Sequence, residues 1–215
     1  MSPDNGGGLA MLEREVAWVA PRLLGAQLSS CVDDLSVSVR ITEVEAYAGH
    51  DDPGSHAYRG PTARNRAMFG PFGHLYVYFT YGMHWCANIV TGGPGSPAAV
   101  LLRAGEIIEG HDVARMRRPA ARADAGLARG PARLAACLGL TGRHDGMQLL
   151  GADARWPADG QVRLLVRGRS LPRRTLRCGL RVGVAGPGGA EPFRWRYWIE
   201  GDPSVSAYRA APHRR

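Results

Sequence analysis

Alternating apolar and polar residues predict three β-strands in the first half of the chain, over Ser36–Glu45, His74–Thr80 and Trp85–Val90. The first strand places Val37, Val39 and Ile41 on one face, and Glu43 and Glu45 continue that face toward its rim. In the second strand, Leu75, Val77 and Phe79 face one way and Tyr76, Tyr78 and Thr80 face the other. Because Tyr81-Gly82-Met83 can turn the chain, we expect the last two strands to form a β-hairpin.

The rest of the chain predicts short helices, further strands and one long loop. Helical spacing runs from Leu9 to Leu24, where Pro21 begins a second short helix that Gly25 ends. The other expected helices are Gly110–Arg118 and Pro131–Leu138, and the other strands are Ala98–Arg103, Gln161–Val166, Leu176–Val184 and Phe193–Ile199. His50–Gly73 has no period and predicts an ordered loop, of the kind that is usually functional.

These elements, with no internal repeat or linker, predict an α+β fold with a mostly antiparallel sheet. We expect one domain over residues 9–210, preceded by a disordered, glycine-rich tail over residues 1–8.

The net charge of +8 favours polyanions as partners, above all nucleic acid, although an ordinary basic protein has such a charge too. All 27 basic residues are arginine, for which a GC-rich genome is a simpler cause than selection for phosphate contacts. Without lysine the chain has no side-chain amine for a Schiff base, and only the N-terminal amine is left for that chemistry. A phosphate-binding GxxxxGK[ST] loop is excluded for the same reason.

The remaining composition indicates a cytoplasmic protein with no membrane contact. No apolar run approaches the roughly 20 residues that a membrane helix needs, and the N-terminus lacks the order of a secretory signal. The four cysteines are far apart and form no CxxC pair, so reduced thiols fit better than a disulfide framework or structural zinc.

Glu43 and Glu45 are the first candidates for chemistry, since two carboxylates stand two residues apart at the end of a strand. A carboxylate in that position either pairs with arginine or does acid–base work, and the pattern alone favours the ion pair. Arg103 ends an otherwise apolar strand and needs a partner, so a buried carboxylate is the obvious one.

An aromatic set surrounds these carboxylates in the sequence, and it comprises Tyr47, His56, Tyr58, Tyr76, Tyr78 and Tyr81. Such rings stack on nucleobases, although tyrosine is also common in the packing of ordinary sheets. Arg59, Arg64 and Arg66 punctuate the long loop, either as solvated charges or as contacts to successive phosphates.

A metal site is the weakest hypothesis that the sequence raises. His50, Asp51, Asp52 and His56 carry suitable ligand atoms, but their spacing matches no motif with a mechanical reason. We therefore expect no metal and no other cofactor.

Several motifs occur together and in order: ITEVEAY, SH, ARNRAMFGPFGHLYVYFTYGMHWCANIV and VLLRAGEIIEG. This set resembles the 3-methyladenine DNA glycosylase family of the alkyladenine (alkylpurine) type, most strongly from Ile41 to Gly110. APRLLG, RGPARLAACLGL, LRVGV and GDPSVS extend the resemblance over nearly the whole chain after the tail. Compared with vertebrate relatives, we expect this sequence to differ by having no long N-terminal extension and by a longer Gly/Pro-rich connection, TGGPGSPA, between Asn88 and Arg103.

The resemblance implies a role for each matching residue. Glu45 is the general base, and Arg103 helps to hold the attacking water. Tyr47, His56 and Tyr78 sandwich the flipped base, and Asn88 at the pocket floor helps to reject guanine. Tyr81, at the tip of a protruding hairpin, enters the minor groove of DNA and fills the gap that the base leaves. We expect further DNA contacts from Tyr76, Met83, Arg59, Arg64 and Arg66.

The implied activity is that of a monofunctional DNA glycosylase of base excision repair, acting as a monomer on double-stranded DNA. Its expected substrates are 3-methyladenine, 7-methylguanine, hypoxanthine and ethenoadenine, and its expected place is the nucleoid of a bacterial cytoplasm. The absence of lysine favours water as the nucleophile and an abasic site as the product. The alternatives are a non-catalytic lesion-binding protein on the same fold, a metal-dependent hydrolase and a purely structural basic protein.

Overall fold

The computed structural model describes residues 8–93, 95–166 and 171–212 of the chain. Within them, eight antiparallel strands form one curved, open sheet, with a few short helices packed against it. The α+β class, the single domain and the antiparallel sheet are therefore confirmed. The tail predicted for residues 1–8 lies outside the described residues except for Gly8.

The strands are β1 Gln27–Val32, β2 Leu35–Tyr47, β3 Leu75–Thr80, β4 His84–Thr91, β5 Ala98–Glu109, β6 Val162–Leu165, β7 Leu176–Gly179 and β8 Arg196–Ile199. The α-helices are α1 Val16–Val19, α2 His111–Arg117 and α3 Pro131–Cys137. Short 3-10 helices are Leu9–Glu13, Ala20–Leu23, Gly49–Asp51, Arg66–Phe69, Asp124–Gly126, Gly142–His144, Arg173–Thr175 and Pro187–Gly189. No helix among the described residues is long and apolar enough to span a bilayer.

The long strand β2 organises the sheet, whose order is β3-β4-β5-β2-β1-β6. Along one edge β2 pairs with β5. Along the other edge, its first part pairs with β1 and its last part, Glu43–Glu45, pairs with β8. Strand β7 pairs with β8, so the C-terminal hairpin lies beside the carboxylates.

Strand β1 was not predicted, because its serines hide the apolar pattern. Ser29 and Ser30 are fully buried, and their hydroxyl groups are satisfied inside the fold. The Ser29 hydroxyl lies 2.8 Å from that of Ser38, and the Ser30 hydroxyl donates to the Leu138 carbonyl at 2.7 Å. Asp33 and Asp34, both with positive φ, form the tight turn from β1 into β2, as type I′ hairpins require.

The prediction that Glu43 and Glu45 share a face with Val37, Val39 and Ile41 is wrong. Val44 and Ala46 join those apolar residues in the main core, so the two glutamates point to the opposite face of the sheet. The reason is a pair of irregularities in the β2–β5 ladder. Ile41 pairs with Gly105, Glu43 with Ala104 and Val44 with Leu102, which leaves Thr42 and Arg103 as the extra residues.

Two C-terminal strands are shorter than predicted. Strand β7 ends at Gly179 rather than at Val184, and β8 begins at Arg196 rather than at Phe193. The chain leaves β7 because Arg181 turns inward and is fully buried. The segment between the two strands therefore does not extend the sheet, and part of it closes over the face that carries Glu45.

Candidate active site

One row of side chains crosses four strands on the face of the sheet opposite the main core. Register pairs Glu45 of β2 with Leu101 of β5, Leu101 with Asn88 of β4, and Asn88 with Tyr76 of β3. The alternation of each strand sends these four side chains to the same side. The row forms the floor of a pocket of about 500 Å³.

This pocket collects most of the predicted site residues. Its lining includes Glu45, Tyr47, His56, Tyr76, Tyr78, Tyr81, Asn88 and Arg103. The predicted DNA contacts Arg59, Arg64, Arg66 and Met83 lie outside it. The sequence did not indicate the contributions of Met68, Cys86, Leu101 and the segment Val182–Ala185, which also line the pocket.

The Glu45 carboxylate is fully buried and is held by three donors from different parts of the fold. Its Oε2 accepts hydrogen bonds from the Tyr47 hydroxyl at 2.9 Å and from Arg103 Nη1 at 3.2 Å. Its Oε1 accepts one from the backbone N–H of Val182 at 2.7 Å. The side chain is thereby set in one orientation at the pocket wall, which is what positioned acid–base catalysis requires.

Arg103 joins Glu45 to a second buried carboxylate. Its Nε donates to Glu43 at 2.8 Å, and Glu43 also accepts from Arg196 Nε at 2.7 Å and from the N–H and hydroxyl of Ser206. Burial opposes ionisation of Glu43, but the charges of Arg103 and Arg196 prevail and hold its pKa below the usual value. Despite its own burial, Arg103 has a raised pKa, because Glu45 and Glu43 flank it.

The ion pair predicted from the sequence is therefore present. Among the residues that the structure describes, Arg103 is the one side-chain cation paired with Glu45, whereas Glu43 pairs with both Arg103 and Arg196.

Aromatic rings stand against Tyr76 at one end of the floor. The His56 and Tyr78 rings meet edge to face at 4.7 Å, and Tyr76 stacks on Tyr78 at 5.3 Å. His56 Nδ1 lies 3.0 Å from the Tyr76 hydroxyl. Partial burial at the pocket mouth, and then the charge of Arg64, lower the pKa of His56, so its ring is neutral at physiological pH.

The hydroxyl groups of Tyr47 and Tyr78 are protonated. Burial and the nearby Glu45 charge raise the pKa of Tyr47 well above its usual value. Burial raises the pKa of Tyr78, and the thiol of Cys86 beside it has a pKa raised to about 11 for the same reason. The walls of the pocket therefore present flat, neutral rings around one carboxylate.

Asn88 is fixed by its own neighbour on the floor. Its amide nitrogen donates to the Tyr76 carbonyl at 2.9 Å, and the side chain is 4% exposed. Tyr76 itself is 1% exposed, so the ring that was expected among the DNA contacts stands inside the pocket wall. Its burial suits the support of His56 and Tyr78 better than contact with a DNA backbone.

The tip of the β3–β4 hairpin is exposed, unlike the pocket at its base. Tyr81 is 86% exposed and Met83 68% exposed. Tyr81 has φ +51°, a left-handed conformation that is uncommon for a residue with a bulky side chain. Backbone strain of this kind clusters at functional sites, and here it aims an apolar ring away from the protein.

The three arginines of the long loop are exposed, and a buried asparagine orders the loop beneath them. Asn65 accepts from the N–H and hydroxyl of Thr62, and its amide donates to the carbonyls of His56 and Gly60 at 2.8 and 3.1 Å. The arginines therefore stand on a defined backbone, close to the histidine of the pocket.

One of those arginines reaches the pocket's aromatic wall. The Arg64 guanidinium carbon lies 5.3 Å from the centre of the Tyr78 ring, and its Nη2 donates to the Phe79 carbonyl at 3.2 Å. Arg59 and Arg66 point to solvent from the same loop.

The possible metal ligands of the sequence do not form a cluster. Asp52 is buried in an ion pair with Arg181, whereas His50 and Asp51 are exposed. Within the described ranges, no group of three or more histidine, cysteine, aspartate or glutamate side chains is placed to hold a metal ion.

Comparison with known proteins places this geometry in a family. The family model described as Methylpurine-DNA glycosylase (MPG) matches residues 10–203. A protein of Streptomyces avermitilis is 54% identical over 202 residues, covering 94% of this chain and 91% of the relative. A protein of Leifsonia xyli is 49% identical over 199 residues, covering 90% and 88% of the two chains. One of Frankia casuarinae is 44% identical over 231 residues, covering 100% and 99%. All three carry the provisional name 3-methyladenine DNA glycosylase.

Proposed function

The chain belongs to the methylpurine-DNA glycosylase family, and we propose that it excises damaged purines from double-stranded DNA by means of a water molecule that Glu45 activates. The observation that carries the proposal is the burial of the Glu45 carboxylate beside Arg103 in a pocket walled by aromatic rings. We expect alkylated and deaminated purines as substrates, namely 3-methyladenine, 7-methylguanine, hypoxanthine and ethenoadenine.

A base inside a duplex is out of reach, so the nucleotide must rotate into the pocket at an expense of a few kcal/mol. Tyr81 offsets part of this by entering the minor groove and replacing the lost stacking. Its exposure and its position at the tip of the hairpin support this role. The hairpin is expected to act in a monomer, since one small domain supplies all the parts.

The flipped base stacks among Tyr47, His56 and Tyr78. Alkylated purines are cationic, and the faces of tyrosine rings attract cations. A neutral His56 adds no repulsion, which its lowered pKa supports. Asn88, held by the Tyr76 carbonyl, is the polar group on the floor that discriminates between purines.

The reaction is hydrolysis. Glu45 accepts a proton from the water, whose oxygen forms a bond to C1′ of the sugar. The bond from C1′ to the base nitrogen breaks, and its electron pair leaves with the base. A cationic alkylpurine leaves as a neutral molecule, whereas hypoxanthine leaves as an anion that then takes up a proton from solvent. The Glu45 charge also stabilises the positive charge that develops on the sugar, and Arg103 keeps the carboxylate in place.

The product is an abasic site in an intact strand. Strand cleavage by a glycosylase needs an amine that forms a Schiff base, and the chain contains no lysine. A borohydride-trapped protein–DNA adduct would contradict this part of the proposal.

The test is release of base from duplexes that carry each lesion, with Glu45→Gln as the matched variant. Wild type should release the base and leave heat-labile abasic sites, and Glu45→Gln should bind the same duplexes but release no base. Excision by Glu45→Gln at the wild-type rate would remove Glu45 from the mechanism. Lesion binding by wild type with no release would favour a non-catalytic lesion-binding protein.

A further inference from the structure

Behind the pocket wall lies a buried ion pair that the reaction above does not use. Asp52 and Arg181 are both 0% exposed, and Arg181 Nη1 and Nη2 reach the two Asp52 oxygens at 2.5 and 2.6 Å. The guanidinium carbon also lies 4.5 Å from the centre of the Tyr47 ring. Tyr47 lines the pocket and Arg181 does not, so the arginine supports Tyr47 from behind.

Asp52 orders the chain between the two aromatic residues of the pocket wall. Its carboxylate accepts hydrogen bonds from the backbone N–H of Ala48 at 3.2 Å and of Gly54 at 2.8 Å. These bonds close the loop that runs from Tyr47 to His56. The position of both rings therefore depends on where Asp52 is held.

Arg181 orders the segment that contacts the catalytic carboxylate. Besides Asp52, its Nη1 donates to the Ala46 carbonyl at 2.9 Å, next to Glu45, and its Nη2 donates to the Gly188 carbonyl. The residue that follows it, Val182, supplies the N–H bonded to Glu45. Arg181 thus ties strand β2, through Ala46, to the backbone that orients Glu45.

The surroundings leave little freedom for the pair. A Cβ added at Gly54 would come within 2.5 Å of Arg181 Nη2, so the backbone approaches the guanidinium as closely as a glycine permits. The rings of Phe193 and Trp195 lie 5.5 and 5.7 Å from the guanidinium carbon. The forked guanidinium fits this site in one orientation, which a lysine ammonium cannot reproduce.

A buried ion pair is weak support for stability, because well-packed apolar side chains of similar volume often replace one without loss. Apolar side chains cannot form the hydrogen bonds that fix four backbone groups. These groups are the N–H groups of Ala48 and Gly54 and the carbonyls of Ala46 and Gly188. We infer that Asp52 and Arg181 are positioning residues for the excision reaction: together they align the Val182 N–H with Glu45 and seat Tyr47 for stacking. The inference rests on the proposed function, and it concerns how the pocket is held rather than what it binds.

The test separates positioning from stability with two variants. Arg181→Lys keeps the positive charge but loses the forked guanidinium group that binds both Asp52 oxygens. Asp52→Leu/Arg181→Met replaces the pair with apolar side chains of similar volume. For each, the excision rate is measured in single turnover with excess protein and a hypoxanthine duplex, well below the melting temperature.

We expect the single-turnover rate to fall about tenfold to a hundredfold in both variants, since small misplacements of a catalytic group have effects of that size. Affinity for the same duplex, measured in the Glu45→Gln background, should change by less than about threefold, because the exposed hairpin tip and the exposed arginines lie away from the pair and keep their DNA contacts. The double variant should melt below wild type, because it leaves four backbone groups without their hydrogen-bond partners, so its rate is measured below its own melting temperature.

The matched control is Arg177→Lys. Arg177 pairs with Glu200 on the C-terminal hairpin with both side chains exposed, so this variant should excise at the wild-type rate.

Wild-type excision by a folded double variant would overturn the inference, and if that variant does not fold, a wild-type rate for Arg181→Lys would do the same. Equal losses of rate and affinity would also overturn it, because they indicate general collapse of the pocket. If wild type releases no base, the proposed function fails and the inference with it. If wild type releases base and the variants match it, the inference alone fails.

Discussion

Replacement of Glu43 by glutamine tests whether the buried charges around Arg103 are as tightly coupled as their geometry indicates. Glu43 is fully buried and accepts hydrogen bonds from Arg103, from Arg196 and twice from Ser206. Glutamine has nearly the same shape but no charge, so Arg103 would keep Glu45 as a partner while the buried Arg196 would lose the carboxylate with which it pairs. Breaking a buried ion pair in this way destabilises a protein by about 3–5 kcal/mol. At about 2–4 °C per kcal/mol for a domain of this size, the melting temperature should fall by about 6–20 °C.

The dependence of this effect on pH follows from the lowered pKa of Glu43. A carboxyl group whose pKa falls on folding stabilises the protein above its unfolded pKa, about 4.3 for glutamate. That stabilisation is lost as the pH falls through the lower, folded-state pKa, where wild type also carries an uncharged side chain. The gap between wild type and Glu43→Gln should therefore be widest near pH 7 and should begin to narrow as the pH falls below the unfolded pKa of about 4.3.

Thermal unfolding followed by circular dichroism, at pH 7 and in steps down to about pH 3.5, measures both quantities. Glu200→Gln is the control, since its ion pair with Arg177 is exposed and should contribute less than about 1 kcal/mol. A melting temperature within about 2 °C of wild type at pH 7 would refute the coupling. So would a gap that does not change with pH.

Two further predictions concern contact with DNA. Tyr81→Gly should melt at or slightly above the wild-type temperature, because glycine adopts φ +51° without strain, which is worth about 1 kcal/mol. Excision from duplex DNA should nevertheless fall, with a smaller loss on single-stranded substrate. Equal losses on both substrates would argue against insertion of Tyr81 into the minor groove. Arg66→Gln should reduce the slope of log affinity against log salt concentration by about 1, measured between about 50 and 200 mM salt; an unchanged slope would place Arg66 away from phosphate.

The sequence predicted much of the hairpin and of the pocket because both depend on local alternation. Strands β3 and β4 follow the period of two, and Tyr78 falls on the pocket face as expected. Leu75 and Val77 are buried on the other face, while Phe79 on that same face is 45% exposed. The hairpin extends past the body of the domain at that point, and alternation does not report where the core ends.

Other features depend on contacts between distant parts of the chain and have no local signal. Ser29 and Ser30 belong to a buried strand because Ser38 and Leu138 satisfy them, across nine and more than a hundred residues. Arg181 falls inside the expected strand Leu176–Val184, and its burial depends on Asp52, which lies 129 residues away in the sequence. A signal was available for Asp52 alone, since an Asp-Pro-Gly sequence is typical of a side chain that caps its own turn.

The paired irregularities of β2 and β5 make the Glu43–Arg103–Glu45 cluster separable from the sheet that carries it. Because Thr42 is extra on β2 and Arg103 is extra on β5, the two insertions cancel. The pairs Ile41–Gly105 and Val44–Leu102 therefore keep the same register on either side of the site. A chain without those two residues would lose both irregularities at the site and keep the same core, but it would have no arginine between its glutamates. A deletion in one strand only would shift the register of all residue pairs beyond it by one residue. Within this sheet, Arg103 can thus be gained by two matched single-residue insertions or lost by two matched deletions, and the fold is retained in either case.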